Sequence, residues 1–444
     1  MMKEKEIAKE AIAYAEKCGA DQCEIYYHRH SSSSLQMRDG VLSDDSAADR
    51  SGYSVRLLKN GVPGFSYGTA LEKDFLHRSI DDALLSCDFL EPDEDVSFTP
   101  PGSHYPEVDT VSAIPVLSFD RKKAYLQEMI AAAKIDPRIT RVERVGLSQV
   151  ESETFLFNSL GLELHRQMAM ISAATTVVAV ENEDEQLAGE FELGSSYDTI
   201  DFATIGKKAA ENGLDKLGAG PIETAELPVI FTPDAVLDLL GLLLPSFMGD
   251  QVEKGTSSLK GRLGETIAVE DFSLYDDALL PGSVTKIPFD DEGRPCGRHC
   301  LVENGVAHSF LYDNRYASRA HTVSTGNGFC GSHKGMPGVG TTNVSLAKGN
   351  TDPEKMISGL TRGVVIKDLM GLHMADPVSG DFSLGAVGKL IENGEITTGV
   401  RGVMVAGNLF TMLKDIAAIG SDYKLIYGNG ASSFLVKSLK ISGK

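Results

Sequence analysis

The chain contains no tryptophan, and its six cysteines (Cys18, Cys23, Cys87, Cys296, Cys300 and Cys330) are thinly spread over 444 residues. Cysteines this sparse do not make a disulfide framework, so a reducing cytoplasm suits them best. Basic residues are short as well: 42 Lys and Arg face 63 Asp and Glu, a net charge of −21. A surface that acidic repels phosphate and no basic run offsets it, which argues against direct binding to nucleic acid or to an anionic membrane. No apolar stretch reaches spanning length without polar residues. The opening Met1-Met2-Lys3-Glu4-Lys5-Glu6 runs straight into an amphipathic pattern, without a secretory apolar core or small-residue cleavage site. Histidine is missing altogether between His165 and His299, which removes a common zinc ligand from a long central stretch.

What is present reads as an α+β protein, with mixed N-terminal and central modules and a β-rich, antiparallel C-terminal domain. Residues 1–90 form the first module. Ile7, Ala11, Tyr14, Ala15 and Cys18 share one helical face, stopped by Gly19. Cys23, Ile25 and Tyr27 alternate with Glu24, Tyr26 and His28 at strand period. Asp39-Gly40 and Asn60-Gly61 are tight-turn pairs, and Leu76, Ile80, Leu84 and Cys87 close the module as a helix. Residues 91–116 are acidic and rich in proline, and form a connector crossing the surface. In the central module, 117–225, helices are expected over 120–134 and 201–217, with strand-like segments from 142 to 180. The strand 227–231 then opens the C-terminal domain, 226–444. Glycine is dense beyond Gly264, and turn signals recur at Glu303-Asn304-Gly305, Glu392-Asn393-Gly394 and Gly428-Asn429-Gly430. Short strands and one clear helix near 409–419 fit that texture.

The stretch after strand 227–231 is the most informative. Thr232 as N-cap and Pro233 at the first helical position start a helix, and Pro245 ends it. Met248-Gly249-Asp250, Lys254-Gly255-Thr256-Ser257 and Gly261-Arg262-Leu263-Gly264-Glu265 follow. Further on come Phe310-Leu311-Tyr312-Asp313, Ser324-Thr325-Gly326-Asn327, Thr342-Asn343-Val344-Ser345-Leu346 and Val405-Ala406-Gly407-Asn408-Leu409. In order and spacing this set resembles the TldD/PmbA family of peptidases, once called modulators of DNA gyrase. The resemblance implies that catalytic members carry a His-Glu on the helix and a second His further along it, which bind and use zinc. Anchoring on Gly249-Asp250 puts Leu240 and Pro245 at the histidine positions and Gly241 at the glutamate position. A third ligand, a cysteine near the C-terminus, is matched by Tyr427-Gly428-Asn429-Gly430-Ala431-Ser432-Ser433, which has none. The likeness is therefore to the non-catalytic, TldE (PmbA) type. It implies a subunit without zinc of its own, paired with a zinc-bearing TldD-type paralogue and acting on unfolded or leader peptides. A homodimeric peptide-binding scaffold without proteolytic role is the alternative.

Other groups invite chemistry. Cys296-Gly297-Arg298-His299-Cys300, with His321, Cys330 and His333, has soft ligands at rough metal spacing. Its Cys-x-x-His-Cys order matches no standard finger, and strand alternation would separate His299 from the thiols. Gly64-Phe65-Ser66-Tyr67-Gly68 matches a nucleophile elbow but follows a hairpin turn, where Ser66 is a strand residue. The run 236–244 is too short to span a bilayer and reads as a core helix. Arg262 and Glu265 either line a cleft or intersubunit seam, or form a surface ion pair. Arg315 and Asn343 are further cleft or interface candidates.

Overall fold

In the structure, a computed structural model, residues 2–109, 111 and 113–444 are described. Met1 and the connector positions Thr110 and Ser112 lie outside the described residues. Period-two alternation builds the first sheet. β1 (Gln22–Arg38), β2 (Val41–Lys59) and β3 (Val62–Gly68) are successive antiparallel hairpins, turned at Asp39-Gly40 and Asn60-Gly61. Ser66 sits inside β3, as a strand residue. Helices α1 (Met2–Lys17) and α2 (Lys73–Ser86) pack Ala8, Ala11, Ala15, Leu76 and Ile80 onto Cys23, Ile25, Tyr27, Val55 and Leu57. Cys18, expected on the α1 face, lies past the last turn and is exposed, because the chain swings away at Gly19, where φ is +99°.

β4 (Ile139–Asn158) pairs with β1, and β5 (Glu163–Glu181) and β6 (Asp184–Gly194) extend the sheet to the order β3-β2-β1-β4-β5-β6. The N-terminal and central stretches thus share one sheet. α3 (Phe119–Ala133), capped by Ser118, and α4 (Phe202–Lys216), capped by Asp201, bury Leu126, Met129, Ile205 and Ala209 against it. All four helices take the same face: Ile25 and Leu35 of β1, one under each helix pair, are an even number of residues apart.

The opposite face meets the C-terminal domain. Glu24 and Arg56, which point there, are only 1% and 2% exposed. Arg56 Nη2 lies 2.9 Å from Glu24 and donates to the carbonyl of Asp291 at 2.8 Å. Arg166 Nη2 lies 2.6 Å from the Asp291 carboxylate, and its other terminal nitrogen donates to the carbonyl of Phe289. Gly293, with φ +77°, lets this loop sit on the sheet, since a Cβ would be 2.5 Å from Leu162. The connector is caught in the same seam. Thr99 is fully buried with its carbonyl accepting from Asn158, and Tyr105 donates to the carbonyl of Gly293. Expected at the surface, it is in part an internal strap, because the polar groups of the seam give its backbone partners.

β7 (Ala225–Phe231), α5 (Pro233–Leu243) and α6 (Gly249–Lys254) open the C-terminal domain. Strands β8 (Leu274–Asp277), β9 (Arg298–Glu303) and β10 (Val306–Ala307) follow, then α7 (Asn314–Arg319), β11 (Gly328–Phe329), β12 (Gly338–Val339), β13 (Val344–Leu346) and α8 (Pro353–Ser358). β14 (Arg362–Met370), β15 (Asp381–Glu392), β16 (Glu395–Asn408), α9 (Leu409–Lys414), β17 (Ile416–Ile419), β18 (Lys424–Ile426), β19 (Asn429–Ala431) and β20 (Phe434–Ser442) complete it. One sheet, β16-β15-β14-β7-β20-β17, closes because β16 also pairs with β20; a second runs β10-β9-β8-β13-β19-β18, and β11 and β12 form a two-stranded ribbon. Pairing is largely antiparallel, with parallel seams at β7–β14 and β13–β19. The helix expected over 409–419 stops at Lys414, since Ile416 and Ile419 gain more by pairing with β20. α7 and α8, of six residues each, lie where only strands and turns are expected. No helix among the described residues is long and apolar enough to cross a membrane.

Arg56→Met leaves Glu24 buried without its partner and is expected to cost about 3–5 kcal/mol. Glu24→Met/Arg56→Met removes both charges and is expected to regain most of that loss. Urea unfolding followed by circular dichroism compares them; a single variant as stable as the double would contradict the assignment.

Candidate functional site

The positions singled out on α5 diverge in space. Thr232 is the N-cap, but its hydroxyl turns to the carbonyl of Lys367, and Pro233 fixes the first turn. Ala235, Val236, Leu239, Leu240 and Leu243 face the domain core. Gly241 faces out, with open space where a side chain would stand. Pro245 falls in a 3-10 turn spanning Leu244–Phe247 that ends the helix. Leucine, glycine and proline side chains carry no lone pair for a metal, so these three positions do not fit zinc.

The cysteine and histidine cluster is also dispersed. Among the described residues, no three His, Cys, Asp or Glu side chains converge as a metal site. Cys296, just ahead of β9, donates to the carbonyl of Gly326 at 3.1 Å, and burial pushes its thiol pKa up. Cys300 donates to the carbonyl of Val302. His299 stands opposite Asp276 of the neighbouring strand. Cys330 is pushed up to about 12 by burial. His333 lies over Gly52 and meets Tyr67 edge-on, while His321 occupies a left-handed turn.

Arg262 and Glu265 pair with each other at 2.8 Å, both partly exposed. Arg315 pairs with Asp93 and, beside Arg319, clamps the connector. Asn343 is buried: its amide donates to the carbonyls of Asp277 and Thr285, and its oxygen accepts from the hydroxyls of Ser283 and Thr285. All its hydrogen-bonding capacity is used within the chain.

None of these four lines the cavity of about 990 Å3 that opens between the central module and the C-terminal domain. Asn343 stands behind its wall, holding Ser283. One wall is β6 from 189 to 193 and the α4 face of Thr204, Lys208 and Asn212. The other is the start of α5 at Thr232 and Asp234, β15 from 387 to 389, and the β18–β19 hairpin. Ion pairs tie the walls: Lys367 lies 2.6 Å from Asp215, and Lys216 3.0 Å from Asp368. Burial pushes Asp215 up, but Lys367 and Lys389 outweigh that and hold it below its ordinary value. Five lysines and six carboxylates line the cavity. It is nearly neutral in a strongly acidic chain, which suits a polar, uncharged main chain better than a polyanion. Asp238, one turn along α5, is pushed up to about 6 by burial, with Asp368 and Asp234 adding repulsion.

Of the elements around the cavity, β6 is the one that the sequence pattern does not reveal. Its acids, Asp184, Glu185, Glu190 and Glu192, and its glycines mask it, although Leu187, Phe191 and Leu193 keep the alternation. It has a strand partner on one side only, so its outer edge borders the cavity.

Profiles described as PmbA/TldA metallopeptidase domain 1, central domain and C-terminal domain match residues 23–86, 113–217 and 224–443. The chain is 24% identical over 456 residues to the metalloprotease PmbA of Escherichia coli O157:H7, covering 99% of this chain and 97% of that one. A crystal structure of a putative modulator of a DNA gyrase from Thermotoga maritima superposes with a TM-score of 0.91 at 29% identity, over 99% of this chain and 100% of that one. The crystal structure of TldE from Thermococcus kodakarensis also gives 0.91, at 26% identity, over 98% and 100%.

The raised Asp238 carboxyl makes the stability of the fold sensitive to pH. Its unfavourable contribution is absent below the ordinary carboxylate value of roughly 4 and grows as pH rises through about 6. Thermal midpoints are expected to fall less over that window in Asp238→Asn than in the wild type. Parallel pH curves for the two proteins would contradict this.

Proposed function

Because the chain belongs to the PmbA/TldD metallopeptidase family, we propose that it is a TldE-type, non-catalytic subunit of a peptidase acting on unfolded or leader peptides. The observation that carries the reading is α5, where a core leucine and a turn proline occupy the family's two histidine positions and an outward glycine occupies its glutamate position. In this reading the zinc, and the base that takes a proton from water, belong to a TldD-type partner. This chain supplies scaffold and part of the groove. The free edge of β6 supports that role, since an extended chain can pair with an open strand edge through main-chain bonds regardless of its sequence. The nearly neutral lining is consistent with it, and six unpaired cysteines suit a cytoplasmic setting.

The test incubates unstructured peptides with this chain, with a zinc-bearing paralogue and with both, each with and without a chelator. Chelator-sensitive turnover is expected only where the paralogue is present, and the chain alone is expected to carry well under one equivalent of zinc. Turnover by the chain alone at the rate of the pair would contradict the reading. So would a full zinc equivalent lost on Cys296→Ser/Cys300→Ser.

A further inference from the structure

Among the described residues, five two-residue hairpin turns have both central residues at positive φ: Asp39-Gly40, Asn60-Gly61, Asn304-Gly305, Asn393-Gly394 and Tyr427-Gly428. Four begin with Asp or Asn, whose short polar side chains tolerate the left-handed conformation. The fifth begins with tyrosine at φ +52°. A bulky residue there is unfavourable for the backbone, so its side chain must be kept for a contact made elsewhere.

That contact lies across the cleft. Gly428 is held from behind, where a Cβ would be 2.5 Å from Thr285 Oγ1 and 3.1 Å from Asn343 Oδ1. Those two side chains are themselves bonded at 2.6 Å. From this fixed turn the Tyr427 ring meets Phe191 of β6, on the opposite wall, with centroids 4.9 Å apart and planes inclined at 52°. Both residues line the cavity. Tyr427 is 59% exposed, so the contact is open to solvent. The walls are joined elsewhere by the Lys367–Asp215 and Lys216–Asp368 pairs.

We propose that Phe191 and Tyr427 form a clasp that holds the two walls of the cleft together and must part before an extended chain can enter. The identity of the entering chain rests on the peptide reading above; the clasp does not.

The absence of tryptophan supplies the reporter, since Phe191→Trp introduces the only one. Acrylamide quenching is compared between Phe191→Trp and Phe191→Trp/Tyr427→Asn in the full chain. Asparagine is the residue three of the other turns carry, so the hairpin is kept while the ring is lost. Quenching is expected to rise about two- to threefold in the double variant as its indole loses cover. Equal quenching in two folded proteins would overturn the clasp. A short fluorescein-labelled unstructured Gly/Ser/Ala peptide then reports access. It is expected to associate about three- to tenfold faster with Tyr427→Asn and at the wild-type rate with Tyr427→Phe. Slower association with Tyr427→Asn would make the rings a binding platform and overturn the proposal. Binding to no variant, with the quenching difference intact, would leave the clasp standing and remove the peptide reading.

Discussion

Arg56 and Arg166 meet the loop 289–293 in the interior, and the position of both cleft walls depends on that seam. Four helices already cover one face of the long sheet, so its other face needs a partner as well. The C-terminal domain fills that need over β1, β2, β4 and β5. It leaves β6, at the end of the sheet, alongside the domain rather than beneath it. The cavity is the space left over. Buried ion pairs add little net stability compared with apolar packing, but they are demanding about geometry. Here that demand sets how the two bodies sit, while the half-exposed Asp215 and Asp368 pairs add a second, weaker link at the far wall.

The same economy appears around α5. Leu240 completes a core that also takes in Leu239, Leu243, Phe247 and Phe434. A charged or metal-bound group at that position would have to be desolvated or displaced toward solvent. The body of the helix is therefore built for packing, while the polar lining of the cleft comes from the central module, the first turn of α5, β14, β15 and the β18–β19 hairpin. On the reading proposed above, the chain keeps the groove and gives up the metal.

Local patterns that depend on the chain's own chemistry were readable. The Asp-Gly and Asn-Gly turns, the Pro233 helix start and the alternation of β1 all appear where the residues put them. Contacts made at a distance were less so. Glu24 and Tyr26 look like the polar side of a strand, and only the docking of a second domain buries them. Ile416 and Ile419 continue a helical pattern until β20 offers them a ladder. β6 hides because an edge strand beside a polar cavity can carry acids on residues that elsewhere would be apolar. Asn343, a cleft or interface candidate by sequence, makes its side-chain hydrogen bonds inside, one layer behind the cleft. The cleft residues Lys208, Asn212 and Phe191 have no motif, and nothing in their spacing marks them out.

The proposed role as half of a peptidase requires assembly with a second chain. A subunit that lends a groove to a catalytic partner needs a persistent interface, which in obligate pairs is large and apolar. Sedimentation velocity of the 47.6 kDa chain, alone and mixed with its zinc-bearing paralogue, reads that interface without depending on any substrate. The account predicts a stable one-to-one complex in the mixture. Clean monomers of both proteins in the mixture, across micromolar concentrations, would contradict it.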